Sequence, residues 1–222
     1  MRVEWFGQSA FLLSGAEATV FVDPFGEMSS LAGRGVRWEY PAIDAGAVDL
    51  VLVTHEHADH NGVEAIDGRP EVLRSAAGRH ETGIGDVVAV ASEHDAAAGT
   101  ERGANTILAF SLDGVRVAHF GDFGQAALRP EQRAAIGAVD LVFLPAGGGP
   151  TIGGGAAAAL ARELGATWAV PMHYRTPRIG FLEDEAEFAA ALPAVARLDE
   201  PYFDTADLPH DTTPLAVIPA AP

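Results

Sequence analysis

Short apolar runs rich in β-branched residues recur from the start of the chain to about residue 171, separated by polar turns. Runs of this kind are typical of strands. They predict strands at 2–6, 10–13, 19–22, 49–53, 87–91, 106–112, 115–120, 141–144 and 168–171. The dipeptide Asp113-Gly114 between two of these runs favours a tight hairpin turn, because both residues readily take positive φ.

Helical patterns appear later, where Ala, Leu and Glu dominate, and they predict helices at 130–137, 156–164 and 183–196. Strands therefore come first and then alternate with helices, which indicates an α/β fold with sheets sandwiched between helices. We expect one domain over residues 1–222, with loops at 26–35 and 147–155 and a loosely held Pro-rich segment at 209–222.

The charge of the chain restricts its partners. The chain has 14 basic residues, all of them Arg, and 31 acidic residues, which gives a net charge of −17. Phosphate binding relies on clustered basic side chains, so we expect neither nucleic acid nor an anionic membrane surface as a partner. Without an apolar leader or spanning segment, a cytoplasmic location is the expectation. The composition does not decide between a monomer and a homo-oligomer.

One short segment carries a concentrated set of metal-binding side chains. The predicted strand 49–53 is followed by Thr54-His55-Glu56-His57-Ala58-Asp59-His60. Residues two apart in an extended segment point the same way, so His55 and His57 can reach one ion, and a turn can present Asp59 and His60 to a second. Because the chain contains no Cys, any metal must be held by imidazole and carboxylate.

Further donors follow other predicted strands. His94 comes after strand 87–91, Asp122 after 115–120 and His173 after 168–171. Residues at the ends of successive sheet strands converge in space, so we expect these side chains to join the His55–His60 segment.

The pattern His-x-His-x-Asp-His, with a distant His, a Gly-Asp and a final His after a strand, resembles the metallo-β-lactamase superfamily. Further segments are similar to small bacterial Zn-dependent hydrolases related to ascorbate-6-phosphate lactonase: Trp5-Phe6-Gly7-Gln8-Ser9-Ala10-Phe11, Val22-Asp23-Pro24-Phe25, Arg102-Gly103-Ala104-Asn105-Thr106, Pro145-Ala146-Gly147-Gly148 and Pro171-Met172-His173-Tyr174. The resemblance spans about residues 5–177. The chain departs from that branch at Gln8, where relatives often carry His.

The resemblance implies an αββα sandwich of two mixed sheets flanked by helices, with the site at one edge. It implies one metal ion held by His55, His57 and His94, a second held by Asp59, His60 and His173, and Asp122 bridging them. We expect His119 and Asp23 to contact and orient ligands. We expect Arg175, Tyr174 and Asn105 to bind the substrate, with Arg175 suited to an anionic group.

Two Zn²⁺ ions are the first expectation, although Mn²⁺ and iron also suit these donors. Water between two such cations has its pKa lowered from 15.7 to about 7 and yields hydroxide at neutral pH. Asp59 is expected to orient this nucleophile and move its proton. The sequence thus predicts a hydrolase that cleaves an ester-like, lactone, amide or phosphoester bond of a small metabolite. An iron-dependent redox enzyme, a phosphodiesterase or nuclease, and an inactive metal-binding scaffold remain alternatives.

Overall fold

The computed structural model describes residues 1–29, 31 and 35–222. Two mixed β-sheets pack face to face, and an apolar cluster with members from both sheets fills the space between them. Helices flank the second sheet, and the segment between the strands Thr19–Val22 and Leu50–Val53 flanks the first. The predicted α/β class, two mixed sheets with flanking helices, is confirmed.

The first sheet has six strands within the described residues. They are β1 (Arg2–Gly7), β2 (Ala10–Ser14), β3 (Thr19–Val22), β4 (Leu50–Val53), β5 (Glu71–Arg74) and β13 (Tyr202–Asp204). Their order across the sheet is β13-β1-β2-β3-β4-β5. The antiparallel start continues into parallel pairing of β3 with β4 and of β4 with β5.

The second sheet has eight strands in the part of the chain that the structure describes. They are β6 (Gly78–Thr82), β7 (Gly85–Glu93), β8 (Ala104–Leu112), β9 (Val115–His119), β10 (Leu141–Pro145), β11 (Trp168–Met172), β12 (Ala194–Arg197) and β14 (Leu215–Ile218). Their order is β12-β14-β11-β10-β9-β8-β7-β6. Every residue of β10 and of β11 is buried, as expected for parallel strands covered on both faces.

The helices cover the outer face of the second sheet. They are α1 (Pro130–Ile136), α2 (Gly154–Leu164) and α3 (Ala186–Ala191). On α2 the buried side chains Ala157, Leu160, Ala161 and Leu164 lie three or four residues apart, so they form one face that packs into the apolar cluster on that sheet.

The predicted helix at 183–196 is too long, because the helix in the structure covers only Ala186–Ala191. The helix α3 ends at Ala191, and residues 194–197 form β12, which pairs in parallel with β14. Pro193 follows the helix, and proline disfavours helical backbone at the residue before it; Leu192 is accordingly extended. Pairing with a buried strand then outweighs the helical preference of alanine.

The expectation of a loosely held segment at 209–222 is also wrong for residues 215–218, whereas residues 209–213 are exposed and belong to no helix or strand. Residues 215–218 form β14, which lies between β11 and β12, and all four of its side chains are buried. The apolar run Leu-Ala-Val-Ile suits this position, because a strand with parallel neighbours on both sides is buried on both faces.

The segment between β3 and β4 covers the outer face of the first sheet with described residues that belong to no strand or α-helix. Phe25, Tyr40 and Val48 from this segment pack against the sheet residues Phe21 and Val51. Of the predicted loop at 26–35, residues 30 and 32–34 lie outside the described part of the chain. None of the described helices combines the length and apolar character that crossing a bilayer requires.

Candidate metal centre

Polar side chains that follow four strands meet at one edge of the sandwich. They come after β4, β7, β9 and β11, and they are His55, His57, Asp59, His60, His94, Asp122 and His173. Their imidazole nitrogens and carboxylate oxygens form groups in which all ligand atoms lie within 4.8 Å of one another. The structure therefore brings together every side chain that the sequence predicts as a metal ligand.

The segment after β4 reaches the site through a turn rather than an extended strand. The chain bends at His55 and again at His57, and the His60 amide donates a hydrogen bond to the His57 carbonyl at 2.9 Å. The predicted extended geometry is wrong here, yet the rings of His55 and His57 still lie 4.6 Å apart.

His55, His57 and His94 form the first group of potential ligands. Nε2 of His55 lies 3.0 Å from Nδ1 of His57. The His94 ring lies 5.0 Å from the His55 ring and 4.9 Å from the His57 ring. Three imidazoles facing one point are a set of donors that zinc accepts.

Asp59, His60 and His173 form a second group beside the first. Oδ2 of Asp59 lies 3.7 Å from Nε2 of His60 and 3.8 Å from Nε2 of His173. Asp122 lies between the two groups. Its Oδ1 is 3.2 Å from Nε2 of His60, and its Oδ2 is 2.9 Å from Nε2 of His94 and 3.4 Å from Nε2 of His173.

Asp23 and Thr54 set which ring nitrogens face the site. Asp23 accepts hydrogen bonds from the Thr54 amide at 2.7 Å, from the Thr54 hydroxyl at 2.7 Å and from Nδ1 of His60 at 2.8 Å. Because the Thr54 hydroxyl donates to Asp23, it accepts from Nδ1 of His55 at 3.1 Å. Both rings therefore carry their proton on Nδ1 and direct the Nε2 lone pair into the site. The expected contact between Asp23 and a ligand side chain is present.

His94 is oriented in the same way by the loop at 147–155. Its Nδ1 lies 3.1 Å from the Pro150 carbonyl, which can only accept, so Nε2 faces Asp122. The loop is held by a β-bridge between Gly147 and Gly153. Through its Pro150 carbonyl the loop therefore orients a candidate ligand, a role that its sequence does not indicate.

Buried polar atoms at the centre fit a cation. Within the described residues, Nε2 of His60, Oδ1 of Asp122 and Nδ1 of His173 are buried without a hydrogen-bond partner. Buried polar atoms normally have a partner, so unpartnered ones call for an explanation. For His60 and Asp122, a lone pair and a carboxylate oxygen 3.2 Å apart are the arrangement that a metal ion between them would satisfy.

The electrostatics of the centre show the same demand for positive charge. Burial lowers the pKa of His55 to about 2, with His60 adding to the effect, so this ring is neutral and able to act as a ligand. Burial opposes the charged form of His60, yet Asp122 and Asp23 raise its pKa well above its usual value. Burial likewise opposes ionisation of Asp122, but His173 and His60 hold its pKa well below the usual range. Protons and a cation therefore compete for the same atoms.

Asn105 lies behind the centre, in a position different from the expected one. It is 1% exposed, and its amide group donates to Ser92 Oγ and to the Phe120 carbonyl, both at 2.8 Å. Its Oδ1 accepts from the Asp122 amide at 3.1 Å. Both amide hydrogens have acceptors, so the geometry supports a role in positioning Asp122 instead of the expected substrate contact.

His119 does not touch a candidate ligand through its ring N–H, contrary to expectation. Its Nε2 donates to the Ser9 carbonyl at 3.0 Å, and its Nδ1 accepts from the Gly121 amide at 3.2 Å. Its Nδ1 lies 3.9 Å from Oδ2 of Asp23. Burial lowers its pKa, so the ring is a neutral core group that ties β9 to the first sheet next to Asp122.

Tyr174 and Arg175, which follow His173 in sequence and were expected to bind the substrate, both make other contacts in the structure. Tyr174 is 4% exposed and stacks on Trp5 with ring centroids 5.4 Å apart, because it belongs to the core between the sheets. Arg175 is half-exposed and forms an ion pair at 2.7 Å with Asp184 at the surface.

Gln8 and Gly147 support the centre without having been predicted to. Gln8 has a left-handed backbone, with φ 47°, and its carbonyl accepts from the His173 amide, which also has a left-handed backbone, with φ 49°. The Gln8 side chain donates to the Tyr40 hydroxyl at 3.0 Å. A Cβ at Gly147 would overlap the His173 carbonyl oxygen, so only glycine fits there. The departure from the relatives' His at position 8 and the Gly-rich run were the available signals.

Comparisons with known proteins agree with this geometry. The family described as Beta-lactamase superfamily domain matches residues 2–173. A UPF0173 metal-dependent hydrolase of Thermococcus kodakarensis is 31% identical, over 85% of this chain and 90% of the relative. Another of Pelotomaculum thermopropionicum is 31% identical, over 87% and 92%.

A solved structure from Thermotoga maritima is similar over 98% of both chains, with a TM-score of 0.78 and 24% identity. It is provisionally described as a Zn-dependent hydrolase of the metallo-β-lactamase superfamily, and at this identity it shows the shared fold. With a sandwich of two mixed sheets, a cluster of His and Asp at one edge and these relatives, the chain belongs to the metallo-β-lactamase superfamily, among the UPF0173 metal-dependent hydrolases.

Proposed function

We propose that the chain is a hydrolase with two zinc ions that cleaves an ester-like, lactone, amide or phosphoester bond of a small molecule. The observation that carries this proposal is the shared orientation of three rings. His55, His60 and His94 each use Nδ1 in a hydrogen bond to the protein and present Nε2 to the same space around Asp122. Hydrogen bonds of this kind fix ligand imidazoles in metal sites.

The two groups of side chains suggest the division of ligands. His55, His57 and His94 would hold one ion, and Asp59, His60 and His173 the other. Asp122 would bridge, because its two oxygens lie against different histidines, Oδ1 near His60 and Oδ2 near His94 and His173. Zinc is the first choice among the metals because it accepts mixed imidazole and carboxylate ligands.

Bound cations would lower the pKa of a water molecule to about 7 and polarise the oxygen of a carbonyl or phosphoryl group. Asp59 would handle the proton of that water. Its side chain is 27% exposed, whereas that of Asp122 is 3% exposed. Burial raises the pKa of Asp59, but His60 and His173 outweigh this effect and keep it below its usual value, so the group is ionised at neutral pH.

A small-molecule substrate in the cytoplasm is part of the proposal. The net charge of −17 with 14 Arg and no Lys counts against a nucleic-acid substrate. His57, the most exposed of the imidazoles in the first group, leaves the centre accessible from one side.

The test is a substrate screen with defined metals. Protein stripped with a chelator is reloaded with Zn²⁺, Mn²⁺ or Fe²⁺ and assayed on p-nitrophenyl esters, lactones, β-lactams and a p-nitrophenyl phosphodiester. The variants His57→Ala and Asp122→Ala should lose activity by at least about 100-fold, the upper end of the loss when a residue around a metal is removed. The matched controls His80→Ala and Asp86→Ala change residues of the β6–β7 hairpin, outside the centre, and should retain the activity.

Two results would overturn the proposal. Activity that survives both centre substitutions would show that another site is the catalyst. Protein purified without added metal that contains iron and consumes oxygen would favour the redox alternative, because imidazole and carboxylate donors also suit iron.

A further inference from the structure

A cavity of about 240 Å³ opens beside the candidate metal centre. Its described walls are apolar side chains: Met28, Leu31, Val36, Trp38, Ile179 and Phe181. His57 and Asp59 from the centre line the same cavity, so its contents lie against the proposed zinc ligands.

The position of this cavity distinguishes it from its neighbour. A second cavity of about 320 Å³ shares the walls Met28, Val36 and Trp38, but none of the candidate ligands is among the residues described as lining it. Of these two cavities, only the one of about 240 Å³ is lined, among the described residues, by both apolar side chains and proposed zinc ligands.

The charges around the cavity do not suit an anionic group. Among its described lining residues the charged group is Asp59, and no arginine is included. The arginines closest in sequence to His173 are engaged elsewhere: Arg175 pairs with Asp184 at 2.7 Å, and Nε of Arg178 donates to the Pro222 carbonyl at 2.8 Å. Away from the proposed zinc ions, an anionic tail in this cavity would lose its hydration without gaining a cationic partner among the described lining residues.

Phe181 adds a direct sign of apolar recognition. Its side chain is 58% exposed, the highest value among the large hydrophobic residues that the structure describes as exposed. An aromatic ring held in water at the rim of a cavity beside reactive groups is suited to contact an apolar ligand.

We propose that this cavity binds the uncharged, apolar part of the substrate, an alkyl or aryl group of about eight non-hydrogen atoms. The size follows from 240 Å³ at about 30 Å³ per water-sized atom. The inference rests on the proposed hydrolase function, and it replaces the anionic substrate that the sequence suggests with a neutral ester, lactone or amide.

Binding can be measured apart from catalysis. Straight-chain hydroxamic acids of two to ten carbons, which chelate zinc, are titrated by calorimetry into the zinc-loaded protein. Affinity should rise by about fourfold for each added CH₂ until the chain reaches about eight carbons, and then level off. An affinity that is independent of chain length would overturn the proposal.

Variants assign this dependence to the cavity. Phe181→Ser should weaken octanohydroxamate by about tenfold and leave acetohydroxamate unchanged, because only the longer chain reaches the rim. Val195→Ser makes the same kind of change at another exposed apolar residue, which does not line the cavity, and should alter neither affinity. Equal effects of the two variants would contradict the assignment.

Hydrolysis tests the charge preference. The esters p-nitrophenyl hexanoate and mono-p-nitrophenyl adipate have the same chain length, and the adipate ends in a carboxylate. The hexanoate should have a kcat/KM at least about tenfold higher, and Phe181→Arg should narrow the ratio. An adipate cleaved as well as the hexanoate would overturn the apolar assignment.

The two proposals fail in different ways. Chain-length-dependent hydroxamate binding with no hydrolysis of any substrate would refute the hydrolase function and leave the apolar cavity supported. Hydrolysis with flat chain-length dependence would refute only the cavity assignment.

Discussion

Replacing Asp23 with Asn tests how far the centre depends on one buried carboxylate. Asp23 is fully buried and accepts three hydrogen bonds, two from Thr54 and one from His60. Its backbone is left-handed, with φ 50°, which Asn tolerates as readily as Asp. The substitution therefore removes an acceptor without adding backbone strain.

The magnitude follows from the hydrogen bonds. In either amide orientation, the new NH₂ group faces a donor, the Thr54 amide or Nδ1 of His60. A buried donor left without an acceptor costs about 1–3 kcal/mol, and hydrogen bonds to a charged group contribute about 1.5–3 kcal/mol. We expect a loss of about 2–4 kcal/mol, which lowers Tm by about 4–16 °C in a chain of this size.

Zinc binding should change as well. With Nδ1 of His60 no longer held, zinc affinity should fall by about 10-fold to 100-fold. Urea denaturation gives the free energy of unfolding, and competition with a chelator gives the affinity. The control Asp49→Asn alters an exposed carboxylate that accepts from the Thr19 amide, and should change the free energy by less than about 1 kcal/mol. If Asp23→Asn is as mild as this control, the orienting role is refuted.

Three further predictions address the surroundings of the centre. Gly147→Ala should lower the free energy of unfolding by about 1–3 kcal/mol and weaken zinc binding, because the new Cβ would displace the His173 backbone. The control Gly180→Ala places its Cβ in open space and should change neither the free energy of unfolding nor the zinc affinity in the same assays. Arg175→Ala should leave kcat/KM for the preferred substrate unchanged and alter stability by less than about 1 kcal/mol, since its ion pair is exposed; a marked rise in KM would restore it as a substrate-binding residue. Burial opposes protonation of His60 and His173, but nearby carboxylates raise the pKa of both rings, so zinc must displace protons to bind. The apparent zinc affinity should therefore rise with pH up to those raised pKa values, by about tenfold per pH unit for each proton displaced. Calorimetry in buffers of different ionisation enthalpy counts the protons released, and a count of zero would contradict this prediction.

Most strands inside the two sheets were predictable, with β14 as the exception, and the edge strands β5, β6, β12 and β13 were not. Apolar runs in the sequence predict β4, β10 and β11, and all residues of these strands are buried. The strands β5 and β6 lie at sheet edges, are largely exposed and carry Glu and Arg, so their sequences lack the alternation that marks a strand. The residues of β12 have helical preferences, and only pairing with a distant strand decides their conformation.

The same division holds at the centre. Residue type and position after a strand predicted which side chains converge, because parallel strand ends meet at one edge of the fold. The partners that orient them depend on tertiary contacts: the Pro150 carbonyl, the Asn105 amide and the Gln8 carbonyl come from loops or strands distant in sequence from the groups they bind. Tyr174 lay beside a ligand in sequence, but the chain turns it into the core.

The pairing of β1 with β13 has a consequence for the order in which the molecule can form. Arg2 lies opposite Asp204, and β14, at residues 215–218, separates β11 from β12. When the nascent chain has emerged from the ribosome only as far as α3, one edge of β1 lacks its partner β13, and one edge of β11 lacks its partner β14. Both sheets would be completed only after synthesis has passed residue 218, so exposed edges on the ribosome should make chaperone binding favourable until then.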